Sequence, residues 1–149
     1  MSLNTDILIK YYEEELKQAL SHEYSRSSAT SLILIISGVL ITIITYDIKL
    51  DNKDIPLSTL LIVIGLFGGI FNIKYYERYF FHYSRATAYR NRLEKQIPKL
   101  KLKKVRLRAD SLHKTRFGKI VTIRLNILWL TLNLLISIFG ITLILIIIY

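Results

Sequence analysis

The sequence contains no cysteine, one tryptophan, one methionine and two prolines, and its 11 Asp and Glu are outnumbered by 21 Lys and Arg. Without cysteine there is no disulfide framework, no thiolate nucleophile and no cysteine-based zinc site. That absence leaves the redox compartment undetermined. A cleavable leader is not expected, since it needs a basic start, a short apolar run and a small-residue cleavage step. The first 26 residues instead carry five acids and three bases, and the first apolar run ends at Thr45, Tyr46 and Asp47. No repeat or low-complexity tract is present. The three histidines, His22, His82 and His113, have no metal-ligand spacing among themselves.

What the chain has in quantity is apolar residues, 52% of its 149 positions, gathered into blocks. Residues 27–46 (20 residues), 56–73 (18) and 125–149 (25) contain no charge, and each is long enough to cross a hydrocarbon core of about 30 Å as a helix. This excludes a secreted disulfide scaffold, a soluble nucleotide-binding enzyme and a domain that faces water on all sides. The expected fold is an all-α membrane protein with three transmembrane helices. Its segments are a cytoplasmic amphipathic helix (1–26), span one (27–46), an external loop (47–55), span two (56–73), a basic cytoplasmic region (74–124) and span three (125–149). A re-entrant third block is the alternative topology.

Charge sets the expected orientation. Residues 74–124 hold sixteen bases and three acids, whereas 1–28 hold three and five, and 47–55 two and three. Lys and Arg are retained on the cytoplasmic side, so the N-terminus and the 74–124 segment are expected inside and Tyr149 outside.

The N-terminal segment reads as a helix opened by Asn4, Thr5 or Asp6, with Ile7, Leu8, Tyr11, Tyr12, Leu16, Ala19 and Leu20 at spacings of three and four. Glu13, Glu14 and Glu15 are either a solvated face or a docking element for the basic segment of this or a neighbouring chain. A catalytic carboxylate pair is disfavoured, because adjacent helix positions point in different directions. From Lys74 to Ile97 no Gly or Pro interrupts a helical reading, so the second span is expected to run on into a basic cytoplasmic helix that stops near Pro98. On it Arg78, His82, Arg85, Tyr89 and Arg92 share a face. The tyrosines and phenylalanines from Tyr75 to Tyr83 suit a belt at lipid headgroup level. Arg85, Tyr89, Arg90 and Arg92 lie beyond where a belt is needed.

Six of the ten residues 99–108 are basic and none is acidic. Their partial alternation fits a short strand or the start of a helix. As function, they fit either anionic lipid, each cation near the surface contributing about 1 kcal/mol, or a soluble polyanion such as a nucleotide or nucleic acid. Sixteen cations exceed what orientation requires, which favours the soluble ligand. Arg108 and His113 have the Arg-x4-His spacing of some ribonucleases, but the short spacing is a weak signal with no second copy in the chain, so no catalytic residue is assigned and the chain is not read as an enzyme.

Each span carries small or polar residues at offsets 0, 7, 11 and 14: Ser31, Gly38, Thr42 and Thr45; Ser58, Gly65, Gly69 and Asn72; Asn126, Asn133, Ser137 and Gly140. Such stripes serve close helix packing in lipid. Asn126, Asn133 and Ser137 are alternatively the lining of a polar path, which three helices cannot enclose without a homo-oligomer.

This plan, with the run Tyr-Tyr-Glu-Arg-Tyr-Phe-Phe-His-Tyr-Ser-Arg-Ala-Thr-Ala-Tyr-Arg-Asn-Arg-Leu-Glu-Lys-Gln-Ile-Pro at positions 75–98, resembles the small multi-span membrane effectors of bacterial anti-phage systems. It is most like the membrane effector of Hailong-type systems, which is paired with a nucleotidyltransferase. Membrane accessory proteins of RNA-targeting CRISPR systems are a second resemblance, from which this chain departs in its shorter cytoplasmic portion. The resemblance implies a homo-oligomeric inner-membrane channel, of four or more subunits, that acts in abortive infection and is controlled by a nucleotide or nucleic-acid oligomer. The candidate ligand-binding residues are Arg85, Arg90, Arg92, Lys99, Lys101, Lys103, Lys104, Arg106 and Arg108. No cofactor is expected. The competing expectation is a non-conducting anchor or adaptor whose basic region binds anionic lipid or an acidic partner.

Overall fold

A computed structural model describes residues 3–46 and 49–149. Among them the chain is helical nearly throughout: α1 (Leu3–Ile44), α2 (Ile55–Gln96), α3 (Leu102–Phe117) and α4 (Leu125–Ile148), joined by single 3-10 turns. Three helices are long and apolar enough to cross a membrane, as the uncharged blocks predict. The 42 residues each of α1 and α2 make about 63 Å of helix, twice the thickness of a hydrocarbon core. Half of each is therefore left over.

The N-terminal helix and first span, expected as separate elements, are one uninterrupted helix. It begins at Leu3, so Asn4, Thr5 and Asp6 lie inside its first turn, where Asp6 favours the helix dipole. Of the expected external loop 47–55, residues 47 and 48 lie outside the described residues, as do residues 1 and 2 of the N-terminal segment. The remainder of the loop is tight. The Asp51 carboxylate accepts from Lys53 N at 2.8 Å and the Asp54 carboxylate from Asp51 N at 3.0 Å, a reciprocal cap. The Lys53 amide holds the Asp51 carboxyl below the usual carboxylate value. Pro56 then sits in the first turn of α2, where its missing N–H costs nothing.

At the other end α2 stops at Gln96, because Pro98 steers Ile97 out of the helical region (φ −125°, ψ 62°). The segment after it, open to strand or helix by its sequence, is helical. Lys101 links the two pieces in the left-handed conformation (φ 47°, ψ 34°), an uncommon state for a residue with a Cβ. Residues 118–122 turn into α4, with Gly118 at φ 51°.

The chain divides into two compact units. One, residues 24–76 and 125–149, contains all three uncharged blocks and is the apolar unit. The other, residues 1–23 and 77–124, holds 17 bases and 8 acids, a net +9, and is the basic unit.

In the apolar unit the core is Leu40, Ile44, Leu61, Ile136 and Leu143, while Leu32, Ile35, Val63, Ile70, Leu135 and Ile138 are exposed, as lipid-facing residues should be. Ser58, Leu61, Gly65, Gly68 and Asn72 form the buried face of α2. Against it lie Asn133, Ser137 and Gly140 of α4. A Cβ added to Gly65 would come within 2.7 Å of Asn133 O, and one on Gly140 within 2.7 Å of Ser58 O. Gly68 is occupied in the same way by the Asn133 side chain. Two of the three small-residue stripes thus meet each other, as close packing in lipid requires.

The first-span stripe does not follow suit. Ser31, Gly38, Thr42 and Thr45 are all exposed, and α1 buries Arg26, Thr30, Ser37, Leu40 and Ile44 instead. One residue of phase, 100° around a helix, separates the two sets. The exposed hydroxyls satisfy themselves on their own helix, Ser31 on Ser27 O at 3.0 Å and Thr42 on Gly38 O at 2.9 Å.

Candidate functional site

The basic unit pairs the first turns of α1 with the last turns of α2. Its centre is Glu15, whose side chain is only 9% exposed. Its two carboxylate oxygens are divided between His82 Nδ1 at 2.7 Å and Arg85 Nη1 at 3.1 Å. An ionised carboxylate only accepts, so His82 Nδ1 is the donor. His22 stacks on His82 with ring centroids 5.4 Å apart. Burial, then the neighbouring His82 and Arg78, push the His22 pKa down. Farther along, Tyr11 stacks on Tyr89 at 5.6 Å, and Thr5 Oγ1 lies 3.5 Å from Gln96 Oε1.

This geometry divides the glutamate triplet. Glu15 docks on the basic segment of its own chain, whereas Glu13 and Glu14 are solvated. The inward stripe of α1 is Thr5, Leu8, Tyr12, Glu15 and Ala19, so the Ile7, Tyr11 and Leu20 expected on that face are exposed. The predicted common face of α2 exists, but His82, Arg85 and Tyr89 spend it on α1.

The candidate ligand-binding cations therefore separate. Arg85 is committed to Glu15 and lies over the Phe81 ring at 5.4 Å. Arg106 is paired with Glu94 at 3.3 Å. Arg90 is half-buried, its Nε covered without a hydrogen-bond partner. Arg92, Lys99, Lys101, Lys103, Lys104 and Arg108 are exposed. So are Lys114, Arg116, Lys119 and Arg124, which belong to the sixteen cations of residues 74–124 and lie outside the candidate site. All of α3 carries no buried residue, and Leu102, Val105 and Leu112 are bare beside its cations. His113 packs against Phe117 at 4.7 Å on the same helix.

A groove of about 350 Å³ opens between the paired helices, lined by Asn4, Ile7, Leu8, Tyr11, Tyr89, Arg92 and Gln96. Of these, only Arg92 belonged to the sequence-derived site. The signal for the others was the three-and-four spacing of the α1–α2 contact, which needs both helices to be phased together.

The candidate path-lining residues lie in the apolar unit. Asn133 is fully buried and Ser137 4% exposed; Asn126 is half-buried. Asn133 Nδ2 donates to Trp129 O at 2.8 Å and Ser137 Oγ to Ile62 O at 3.1 Å. Asn133 and Ser137 form the α2–α4 contact, so in this arrangement of a single chain they border no lumen. Around them Ser37 Oγ, Ser58 Oγ, Asn72 Nδ2, Asn126 Oδ1, Trp129 Nε1 and Asn133 Oδ1 are buried without a hydrogen-bond partner. Among the described residues no group of three or more His, Asp or Glu is placed to hold a metal ion.

No family model, curated protein or solved structure matches the chain.

Proposed function

We propose that the protein is a homo-oligomeric membrane pore, an effector of bacterial anti-phage defence in the inner membrane, controlled by an anionic nucleotide or oligonucleotide at the basic unit. The observation that carries this reading is the polar α2–α4 seam. Five polar atoms of α2 and α4, on Ser58, Asn72, Asn126, Trp129 and Asn133, are buried without partners, an expensive feature in lipid-spanning helices, each costing about 1–3 kcal/mol. They are ordered along the helices from Asn72 and Asn126 at one end through Asn133 to Ser58 at the other. Close packing in lipid calls for small residues there, not for unpaired amides. Parting of α4 from α2 would line a path with Asn126, Asn133 and Ser137, and water would satisfy their amides and hydroxyls. Because α2 is one helix from Ile55 to Gln96, an anion that draws basic segments together acts on a helix that also forms the seam. Gating requires the anion to bind the open and closed states with different affinity.

The test is planar-bilayer recording of the purified protein, with native mass spectrometry in mild detergent to count subunits. A defined oligomer of four or more that passes current, with conductance reduced by Asn133→Ala, is the expected result. Replacing Lys101, Lys103 and Lys104 by Glu should remove oligonucleotide control and leave assembly intact. A monomer that passes no current defeats the reading.

A second reading is favoured by one observation, the bare α3. Leu102, Val105 and Leu112 beside Lys103, Lys104 and Arg108 suit a helix laid on anionic lipid, as in a membrane anchor or adaptor. It predicts flotation with anionic vesicles and no conductance.

A further inference from the structure

The groove between the N-terminal turns of α1 and the C-terminal turns of α2 combines three chemistries in one place. One is a flat aromatic surface. Tyr11 is stacked on Tyr89 with the rings 20° apart, so one face is braced by the half-buried Tyr89, and 54% of the Tyr11 residue remains exposed. The second is a pair of primary amides, Asn4 and Gln96, each offering both a donor and an acceptor. The third is Arg92, exposed and in no ion pair among the described residues, in contrast to Arg85 and Arg106. Among the described residues no carboxylate lines the groove, and Lys95 and Lys99 follow within two turns of Arg92 on the chain.

We propose that this groove is a nucleotide site in which Tyr11 stacks the base, Asn4 and Gln96 meet its edge, and Arg92 holds phosphate. Each requirement follows from the ligand's chemistry. A nucleobase has two π faces that stack on an aromatic ring whatever the base. Its edge alternates donors and acceptors, which amides can match and a lysine cannot. Phosphate fits the planar fork of a guanidinium. The volume of about 350 Å³ lies within the range of small-molecule sites, about 300–1,000 Å³. A lipid headgroup shares only the phosphate, and leaves the tyrosine pair and the amides without a role. The inference rests on the reading of the basic unit as ligand-responsive. It adds that the ligand is recognised through a base, and that the first contacts lie on α1 as well as on the polybasic segment.

Isothermal titration calorimetry on the full-length protein in detergent tests this with ATP, CTP and sodium tripolyphosphate at equal salt. Both nucleotides should bind at least about tenfold more tightly than tripolyphosphate, the margin supplied by stacking. Tyr11→Leu should erase that margin and Tyr11→Phe preserve it. Arg92→Gln should weaken all three ligands by about tenfold, and because Arg92 is exposed it reads the site even where Tyr11→Leu loosens the helix pair. Tripolyphosphate binding as tightly as the nucleotides overturns the proposal, as does an absence of saturable nucleotide binding. Nucleotide binding that survives Tyr11→Leu and Arg92→Gln but is lost on replacing Lys101, Lys103 and Lys104 by Glu also overturns the groove while leaving the ligand-controlled pore intact. Bilayer current with no nucleotide affinity overturns the groove and the nucleotide control, and leaves only the pore.

Discussion

The two units solve the same problem, holding α1 or α4 against α2, with opposite materials. In the apolar unit the contact is made by the smallest residues available. Gly65 and Gly140 bring backbones so close that Asn133 O and Ser58 O fill the places where Cβ atoms would be, and Gly68 leaves room for the Asn133 side chain. In the basic unit it is made by large and polar ones, Glu15 between His82 and Arg85 and Tyr11 on Tyr89. The difference follows from the surroundings. Lipid tails are as apolar as leucine, so helices in lipid gain from close van der Waals approach rather than from burying apolar area. Water outside the membrane rewards covering rings, and a carboxylate buried there must be met by cations.

This contrast can be broken most severely in the apolar unit. Gly68→Leu puts a side chain where the Asn133 amide sits, and should cost about 3 kcal/mol or prevent folding. Detergent-resistant melting, followed by size-exclusion fluorescence, measures it. In the basic unit Glu15→Ala strands His82 and Arg85 and should cost about 2 kcal/mol, while Glu13→Ala and Glu14→Ala should change stability by less than about 0.5 kcal/mol. Equal effects from all three glutamates would show that Glu15 is not the docking residue.

A smaller effect belongs to the link between α2 and α3. Lys101→Gly relieves a left-handed backbone and should stabilise it by up to about 1 kcal/mol, seen as slower amide exchange over the first turn of α3. The smallest expected effect is a pH dependence confined to the basic unit. The folded state lowers the His22 pKa from 6.5, so between the two values the unfolded chain binds the extra proton. Stability from this group is complete above the unfolded value and is lost as pH falls through it. Glu77 opposes this shift, and Arg78 and His82 reinforce it. Melting of the N-terminal helix pair should therefore move down as the pH falls through 6.5, and His22→Gln should flatten the profile. An unchanged slope in that variant would assign the dependence to another group.

Much of this was legible before any coordinates. The three uncharged blocks predict the helices that can cross a membrane, Pro98 predicts the end of α2 within two residues, and Gly65 and Asn133 stand in small-residue stripes that do pack. The candidate site was legible only in part. The cations are plain in the sequence, but which of them are free depends on where carboxylates land, and Glu15 and Glu94 remove Arg85 and Arg106 from the supply. Asn133 and Ser137 stood out as costly residues in lipid, and their burial shows that the seam, not an open face, carries that cost.

Hydropathy and charge are properties of each residue toward its solvent, and they add along the chain. The sequence by itself therefore determined the number of helices long and apolar enough to cross a membrane, the break at Pro98 and the concentration of cations between the second and third apolar blocks. The phase of a helix contact is a relation between two surfaces and does not add in that way. Only the tertiary structure decided that α1 buries Thr30, Ser37 and Ile44 rather than Ser31, Gly38 and Thr45, and that Glu15 rather than its neighbours is docked. It also brought Tyr11, 78 positions from Tyr89, to the same groove. Each choice turns on about 100° of rotation around a helix, a difference that leaves composition and spacing nearly unchanged and exchanges one buried face for another.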